Sequence, residues 1–140
     1  MKKPPKIDLY TDGSTKTNPG EGGWGYVFLL NETRREDSGH VISTTNNRME
    51  ANAVIEALKI LPVSCEINLY TDSQYVVNGI KNWNKWKARG KIKNLDLWEQ
   101  LHELAVGHVI VPIWVKGHDG NMENERAHVL AFEAARQLEI

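Results

Sequence analysis

The chain has 140 residues, of which 41% are hydrophobic, and its formal net charge is −1. This length suits one domain, expected over 1–140, and the near-neutral charge excludes a general attraction to polyanions, so that any nucleic-acid binding must use local patches. A single cysteine, Cys65, excludes an internal disulfide, and the lack of a long apolar run predicts a cytoplasmic protein without a membrane span.

Hydrophobic periodicity and turn residues predict elements in the order βββαβααβα. In chain order they are a strand ending at 12, a Gly-rich turn over 13–23, strands over 24–30 and 35–42, a helix over 48–61, a strand over 66–70, a short helix over 73–79, a Trp- and Lys-rich stretch over 80–93, a helix over 94–106, a strand over 109–115 and a helix over 122–138. Strands that alternate with helices after an initial meander predict an α/β fold with a mixed sheet.

Two segments of the chain nearly repeat one another. Residues 7–12 read IDLYTD and residues 67–72 read INLYTD, so that each predicted strand stops on an aspartate. Ligands of open α/β sheets bind beyond the carboxyl ends of the strands, where Asp12 and Asp72 could converge and hold a cation or share a proton. The alternative is that Asp-Gly and Asp-Ser merely form two unrelated turns.

A third acidic residue, Glu50, falls in the first turn of the helix predicted over 48–61. Its carboxylate could serve only as a favourable partner of the helix dipole. If it points at the same crevice as Asp12 and Asp72, however, three carboxylates would repel one another unless a multivalent cation neutralised them. Hard oxygen ligands suit Mg²⁺ or Mn²⁺, so the sequence predicts a divalent-metal site.

Five motifs in a fixed order resemble the type 1 ribonuclease H family: YTDGS at 10–14, NPG at 18–20, TNNRME at 45–50, TDSQY at 71–75, and WVKGH at 114–118 followed by ENER at 123–126. The resemblance implies an RNase H-like fold, with a five-stranded mixed sheet and helices on both sides. It also implies an endonuclease that hydrolyses the RNA strand of RNA–DNA hybrids with two divalent ions and leaves 5′-phosphate and 3′-hydroxyl ends. Three of the family's four metal ligands match Asp12, Glu50 and Asp72.

The fourth ligand position departs from the family's pattern. Members usually carry an aspartate just after the Asn-Glu-Arg motif, and His128 stands there in this chain. A neutral imidazole ligand would favour Mn²⁺ over Mg²⁺ and would lose its metal as the pH falls. Alternatively, His128 is only a polar helix residue, and the site relies on three carboxylates or recruits Glu123, Glu125 or Asp119.

The resemblance also implies contacts with the substrate. His118 is similar to the family's flexible histidine that assists proton transfer or product release. Hydrogen bonds to RNA 2′-hydroxyls or to the RNA strand are implied for Asn18, Asn47, Gln74 and the Gly13 backbone. Thr45 and Asn46 resemble a pocket that grips a DNA phosphate. Turn formation and helix capping remain alternatives for Asn18, Thr45 and Asn46.

Six of the chain's 17 basic residues lie within 81–93, interleaved with two tryptophans. This stretch resembles a shorter form of the basic protrusion of bacterial members, and tryptophan rings offer flat surfaces for sugar or base contact. The alternative is a solvated basic face. The candidate contacts are Trp83, Lys85, Trp86 and Lys87.

Other functions compete with this interpretation. His128 is the one feature that points to a weakened, hybrid-binding module of the same fold. Asp12-Gly13 after a strand also resembles the nucleophile motif of a phosphatase, although no second aspartate follows two residues later. A nuclease of the same fold with another substrate, such as a resolvase, stays open, and a monomer is the default expectation.

Overall fold

The computed structural model describes residues 3–117 and 120–137. Within them the chain forms five strands and five helices. Their bounds are β1 Lys6–Thr15, β2 Gly20–Leu30, β3 Thr33–Thr44, α1 Asn46–Lys59, β4 Glu66–Thr71, α2 Gln74–Lys81, α3 Trp83–Arg89, α4 Leu95–Ala105, β5 Val109–Trp114 and α5 Met122–Arg136.

The five strands form one mixed sheet in the order β3-β2-β1-β4-β5. The β1–β2 and β2–β3 pairs are antiparallel, whereas β1–β4 and β4–β5 are parallel. The two near-repeated segments are neighbours in matched register, because Ile7 pairs with Ile67 and Tyr10 pairs with Tyr70. The α/β class and the mixed five-stranded sheet are confirmed.

Helices cover both faces of the sheet, as expected. Along β1, Leu9 belongs to the large core that α1 and α4 complete, whereas the next residue, Tyr10, packs with Ala127 of α5 on the opposite face. This division follows from the alternation of side chains along a strand. Trp98 of α4 is fully buried at the centre of the larger core.

The Gly-rich segment is more strand-like than expected. β1 continues past Asp12 to Thr15, and β2 already begins at Gly20, so that the predicted turn over 13–23 shrinks to residues 16–19. Antiparallel pairing continues from Asp12 opposite Gly25 to Thr15 opposite Gly22. Main-chain hydrogen bonds of the hairpin thus outweigh the low strand propensity of glycine.

The Trp- and Lys-rich stretch contains a helix, α3, that the predicted order lacks. Its tryptophans fasten it to α4: the Trp83 ring stacks on His102 at 4.4 Å, and the Trp86 ring meets Trp98 edge-on at 5.3 Å. Gly90 ends the helix in the left-handed conformation, with φ of 89°. A seven-residue helix has too few turns to show periodicity, so tertiary contacts decide its structure.

Two glycines allow helices to approach the sheet unusually closely. A Cβ atom at Gly13 would lie 2.5 Å from the backbone nitrogen of Glu50, and one at Gly25 would lie 2.8 Å from the carbonyl oxygen of Ala127. Both distances are shorter than any van der Waals contact. The missing side chains therefore let α1 and α5 press their backbones against β1 and β2.

None of the helices in the described ranges is both long enough and apolar enough to cross a membrane.

Replacing Gly25 by alanine should push α5 away from β2. Because backbone atoms of α5 leave no room for a methyl group, we expect Gly25→Ala to lower the free energy of unfolding by about 1–3 kcal/mol, as overpacking does. Denaturant titration measures the loss. In the control Gly90→Ala, the new Cβ meets no atom within 4 Å, so that only left-handed backbone strain of about 1–2 kcal/mol is added. A Gly25→Ala protein as stable as the unsubstituted chain would contradict the packing described.

Candidate metal centre

Three carboxylates from separate elements meet at one end of the sheet. Asp12 lies in β1, Glu50 lies in the second turn of α1, and Asp72 directly follows β4. The prediction that Glu50 falls in the first turn was wrong, because the Thr45 cap starts α1 at Asn46, two residues earlier than expected. One oxygen atom from each lies within 4.8 Å of the other two. The exposed fraction of Asp12 is 6%, which is the lowest of the three acidic residues.

Strand register and one glycine explain this convergence. Parallel pairing of Tyr10 with Tyr70 puts Asp12 and Asp72, each two residues further on, at matching positions of adjacent strands. Glu50 reaches them because Gly13 lets the start of α1 contact β1, and the Gly13 backbone hydrogen-bonds to the Glu50 carboxylate. Convergence thus depends on both the sheet and the helix.

The three acidic groups destabilise one another's charged forms. Burial, followed by repulsion from Asp12, raises the pKa of Glu50 well above its ordinary value. The same two causes raise the pKa of Asp72. The Oε1 atom of Glu50 is buried and has no hydrogen-bond partner among the described residues. A buried acceptor without a donor is costly, and a cation bound there would remove that cost.

His128 of α5 reaches the cluster from the other face of the sheet. Its Nδ1 atom lies 2.8 Å from Oδ2 of Asp12, and its side chain is 35% exposed. The hydrogen bond to Asp12 raises the pKa of the imidazole. His128, the candidate fourth ligand, is therefore adjacent to the carboxylates, and one of its ring nitrogens points at Asp12.

These four side chains fit divalent metal ions. Carboxylate oxygens are the preferred ligands of Mg²⁺ and Mn²⁺, and an imidazole nitrogen is tolerated better by Mn²⁺. The partnerless Glu50 oxygen and the raised acidic pKa values are both typical of a site built for cations. Asp12, Glu50, Asp72 and His128 could hold such ions.

Two further features line the site without having been expected from the sequence. A small cavity at the cluster is lined by Asp12, Asp72, His128, Glu125 and also Asn124. Asn124 precedes His128 by four residues, and this spacing on a helix, which places two side chains on one face, is the signal that identifies it.

Trp114 at the end of β5 also contacts the site. Its indole N–H donates a hydrogen bond of 3.1 Å to the Asp72 carbonyl oxygen, which fixes the chain where it leaves β4. The only sequence signal for this contact is the place of Trp114 at a strand end, parallel to β4.

The loop residues expected at the substrate have partners within the protein. The Oδ1 atom of Asn18 accepts from the Asn46 backbone N–H at 3.1 Å, and Thr15 donates to the Asn46 side chain at 2.6 Å. Thr45 caps α1 by accepting from the Arg48 N–H at 3.3 Å. The turn and capping roles are therefore present, and these contacts tie the end of β1 and the turn after it to the start of α1.

Asn47 and Gln74 are exposed at the starts of α1 and α2, where they are accessible to a ligand. His118 and Asp119, both named as candidates above, lie outside the described residues.

The lysines and tryptophans of α3 differ in availability. Lys85 and Lys87 are exposed, whereas Trp83 and Trp86 are half-buried by their contacts with α4. Lys87 Nζ lies 5.8 Å above the Trp83 ring. The tryptophans thus hold α3 on the domain, and the lysines form its charged outer surface.

Known proteins resemble this chain over nearly its whole length. A family model described as RNase H matches residues 4–136. The ribonuclease H of Janthinobacterium sp. (strain Marseille) is 49% identical over 134 residues, which cover 90% of this chain and 93% of that protein.

Solved structures are similar over nearly the whole chain. LC9-RNase H1, described as a type 1 RNase H with the type 2 active-site motif, has a TM-score of 0.89 and 31% identity, covering 99% of this chain and 76% of that one. LC11-RNase H1, solved in complex with an RNA/DNA hybrid, has a TM-score of 0.74 and 27% identity, covering 94% and 97%. With the family model, these likenesses show that the chain belongs to the type 1 ribonuclease H family of metal-dependent nucleases.

Proposed function

We propose that the chain is an endonuclease that hydrolyses the RNA strand of RNA–DNA hybrids with two divalent ions and leaves 5′-phosphate and 3′-hydroxyl ends. The observation that carries this proposal is the convergence of Asp12, Glu50 and Asp72 within 4.8 Å. One chain supplies every candidate site residue, so that a single ribonuclease H domain acting as a monomer suffices.

Four side chains would share the metal ligation. Asp12, Asp72 and His128 would hold one ion, and Asp12 and Glu50 would hold the other. When bound, the pair supplies an activated water for in-line attack on the phosphate and stabilises the leaving 3′ oxygen. Asp12 would belong to both ligand sets, and it is the least exposed of the three acidic residues.

His128 distinguishes this site from one built of four carboxylates. Without metal, its Nδ1 pairs with Asp12. To become a ligand, the imidazole must be neutral and must exchange this contact for the ion, so that protons and metal compete for it. The nitrogen donor is the reason for the proposed preference for Mn²⁺, and the competition with protons is the reason for the proposed loss of activity at low pH.

Recognition of the hybrid would rest on the loops around the cluster. Amide side chains beside the cut bond distinguish RNA by its 2′-hydroxyls. We assign this role to Asn18, Asn47 and Gln74 together with the Gly13 backbone, and a DNA phosphate contact to Thr45 and Asn46. LC11-RNase H1, a related protein, has been solved in complex with an RNA/DNA hybrid, which supports hybrid binding by this chain. His118 would assist proton transfer or product release.

The outer surface of α3 would supply the electrostatic attraction that the neutral chain lacks overall. Lys85 and Lys87 are exposed and would meet phosphates, while the half-buried Trp83 and Trp86 would contribute the parts of their rings that stay accessible. A second candidate, a hybrid-binding module with weak catalysis, is favoured only by the His128–Asp12 contact. Metal-dependent cleavage of a labelled hybrid, compared with duplex RNA and branched DNA, separates the two candidates.

Replacing Glu50 by glutamine should abolish activity yet stabilise the metal-free protein. We expect cleavage of a labelled hybrid to fall by at least about 100-fold, because a ligand is lost. In EDTA at pH 8, the free energy of unfolding should rise on the order of 1 kcal/mol, because a repelling buried charge is removed. Glu56→Gln, in the same helix, is the control and should change neither quantity.

The pH dependence of this stability has a definite sign. The pKa values of Glu50, Asp72 and His128 are all raised. Each group therefore binds its proton more tightly when folded, and its stabilising contribution is complete at low pH and lost as the pH rises through the folded-state pKa. Denaturant titrations in EDTA should show stability falling between about pH 5 and 8, with Mn²⁺ restoring it. Stability that rises over this range would contradict the clustered charges.

Replacing His128 by aspartate should move the metal preference from Mn²⁺ towards Mg²⁺ and flatten the loss of activity at low pH. The same change adds a fourth carboxylate beside Asp12 and removes its imidazole partner, so the metal-free protein should become less stable. Cleavage rates in each metal across a pH series measure the first effect, and denaturant titration in EDTA measures the second. An unchanged metal preference and pH profile would refute ligation by His128.

Neutralising the exposed lysines of α3 should weaken the salt dependence of binding. In the double variant Lys85→Gln/Lys87→Gln, the slope of log affinity against log salt for a hybrid should decrease by about 0.9 for each lost phosphate contact. The control is Lys59→Gln, at the far end of α1. If both variants keep the slope of the unsubstituted chain, α3 does not bind the phosphates.

A further inference from the structure

Four charged side chains link the edge strand β3 to the first turns of α5, away from the carboxylate cluster. Arg34 binds Glu123 through Nε and Nη2, each at 3.1 Å, and binds Glu36 through Nη1 at 2.6 Å. Arg126 then binds both oxygens of Glu36, at 3.0 and 2.6 Å. The result is a continuous network in the order Glu123, Arg34, Glu36, Arg126, which we call the β3–α5 network.

The contacts of the β3–α5 network are more directional and less exposed than those of an ordinary surface ion pair. Two of its links are bidentate, which fixes the relative orientation of both planar groups as well as their distance. Glu36 accepts from two arginines, and these hydrogen bonds lower the pKa of Glu36 to about 2. Glu123 is only 15% exposed. Glu36 therefore stays charged and paired with both arginines at neutral pH.

Its place on α5 relates it to the metal centre. Residues 123 and 126 lie on one flank of the helix, whereas Asn124 and His128 lie on the other, since each residue advances the helix by about 100°. Between the flanks, Ala127 and Ala131 are fully buried against the sheet. The network and His128 thus lie on opposite sides of one line of contact.

That line of contact consists largely of small residues. Alanines of α5 face glycines of β2, and a Cβ at Gly25 would collide with the helix backbone. Tyr10 of β1 and the partly buried Leu130 of α5 add larger side chains to the same contact. A small rotation of α5 about its own axis would move His128 away from Asp12. Metal sites lose affinity when a ligand is misplaced by about 0.5 Å, so polar contacts that fix the orientation of this helix bear on metal affinity.

We propose that the β3–α5 network fixes the rotation of α5, and that Arg34, Glu36, Glu123 and Arg126 are positioning residues for His128 at the metal centre. The proposal rests on the proposed function, because it assigns His128 to a metal ion. It assigns to the edge strand β3, which contributes no residue to the cluster, a role in metal affinity.

The competing explanation is that the network merely stabilises the fold. Partly exposed ion pairs usually contribute little to stability, so a general loss of folding is not expected from breaking one. A double-mutant cycle separates the explanations, because two residues that act on the same interaction give non-additive effects.

The experiment compares Glu36→Gln, His128→Ala and the double variant. Calorimetric titration gives the dissociation constant of Mn²⁺ without nucleic acid, and cleavage of a labelled hybrid gives the Mn²⁺ concentration for half-maximal rate. We expect Glu36→Gln to raise both quantities by about tenfold, the usual effect of losing a group that orients a ligand. In the His128→Ala background the same change should have less than about a twofold effect.

Matched controls test whether the effect is specific. Glu56→Gln breaks the Lys59–Glu56 pair, whose acidic side chain is 26% exposed, compared with 25% for Glu36. This control should leave Mn²⁺ affinity unchanged. If Glu36→Gln folds poorly, Arg126→Lys keeps the charge but loses the bidentate geometry, and it should weaken Mn²⁺ binding in the same direction.

Two results would overturn the proposal: an unchanged Mn²⁺ affinity in Glu36→Gln, or an equal effect in both backgrounds, which would mean that Glu36 does not act through His128. If His128→Ala by itself binds Mn²⁺ as the unsubstituted chain does, the ligand assignment of the proposed function is wrong, and the network proposal falls with it. The single variants thus distinguish failure of the proposal from failure of the function on which it rests.

Discussion

Electrostatic repulsion among Asp12, Glu50 and Asp72 is the constraint on which the rest of the structure depends. Three carboxylates within 4.8 Å, with one buried oxygen that has no hydrogen-bond partner in the described part of the chain, oppose folding when they are charged. The metal-free chain reduces this cost in two ways: the pKa values of Glu50 and Asp72 rise, and the imidazole of His128 pairs with Asp12. A bound cation would reduce it further, so that metal binding and stability are linked.

Strand pairing and close helix–sheet contacts hold the three carboxylates together despite their repulsion. Parallel pairing of β1 with β4 brings the two aspartates side by side, and Gly13 admits the start of α1 with Glu50. Gly25 admits α5 with His128 in the same way. These close backbone contacts at glycines add to the apolar packing of both helices against the sheet. The β3–α5 network adds directional polar contacts to α5, and its proposed role is to orient His128.

Much of this arrangement could be predicted from the sequence. The repeated IDLYTD and INLYTD segments predict two equivalent strands, and their final aspartates do converge, because strand alternation and register are local properties of the sequence. The capping residue Thr45 likewise marks the start of α1, although the helix begins two residues before the predicted bound and Glu50 therefore lies in its second turn. These elements are determined by short-range signals.

Other features could not be predicted, because they depend on contacts between distant residues. Pairing with β2 extends β1 through residues that resemble a turn, and stacking on α4 folds α3 and buries the faces of Trp83 and Trp86. The hydrogen bond between His128 and Asp12 joins residues 116 positions apart. The pattern of residues within one segment cannot predict a contact between two distant segments. The position of His128 in its motif does, however, mark it as a candidate metal ligand.

The most direct test is a crystal structure of the chain with Mn²⁺ and a hybrid, with the ions located by anomalous scattering. We expect two Mn²⁺ ions bridged by Asp12, one coordinated by Asp72 and the His128 imidazole and the other by Glu50. Ions bound elsewhere, with His128 Nδ1 still hydrogen-bonded to Asp12, would contradict the assignment of this cluster as the catalytic metal centre.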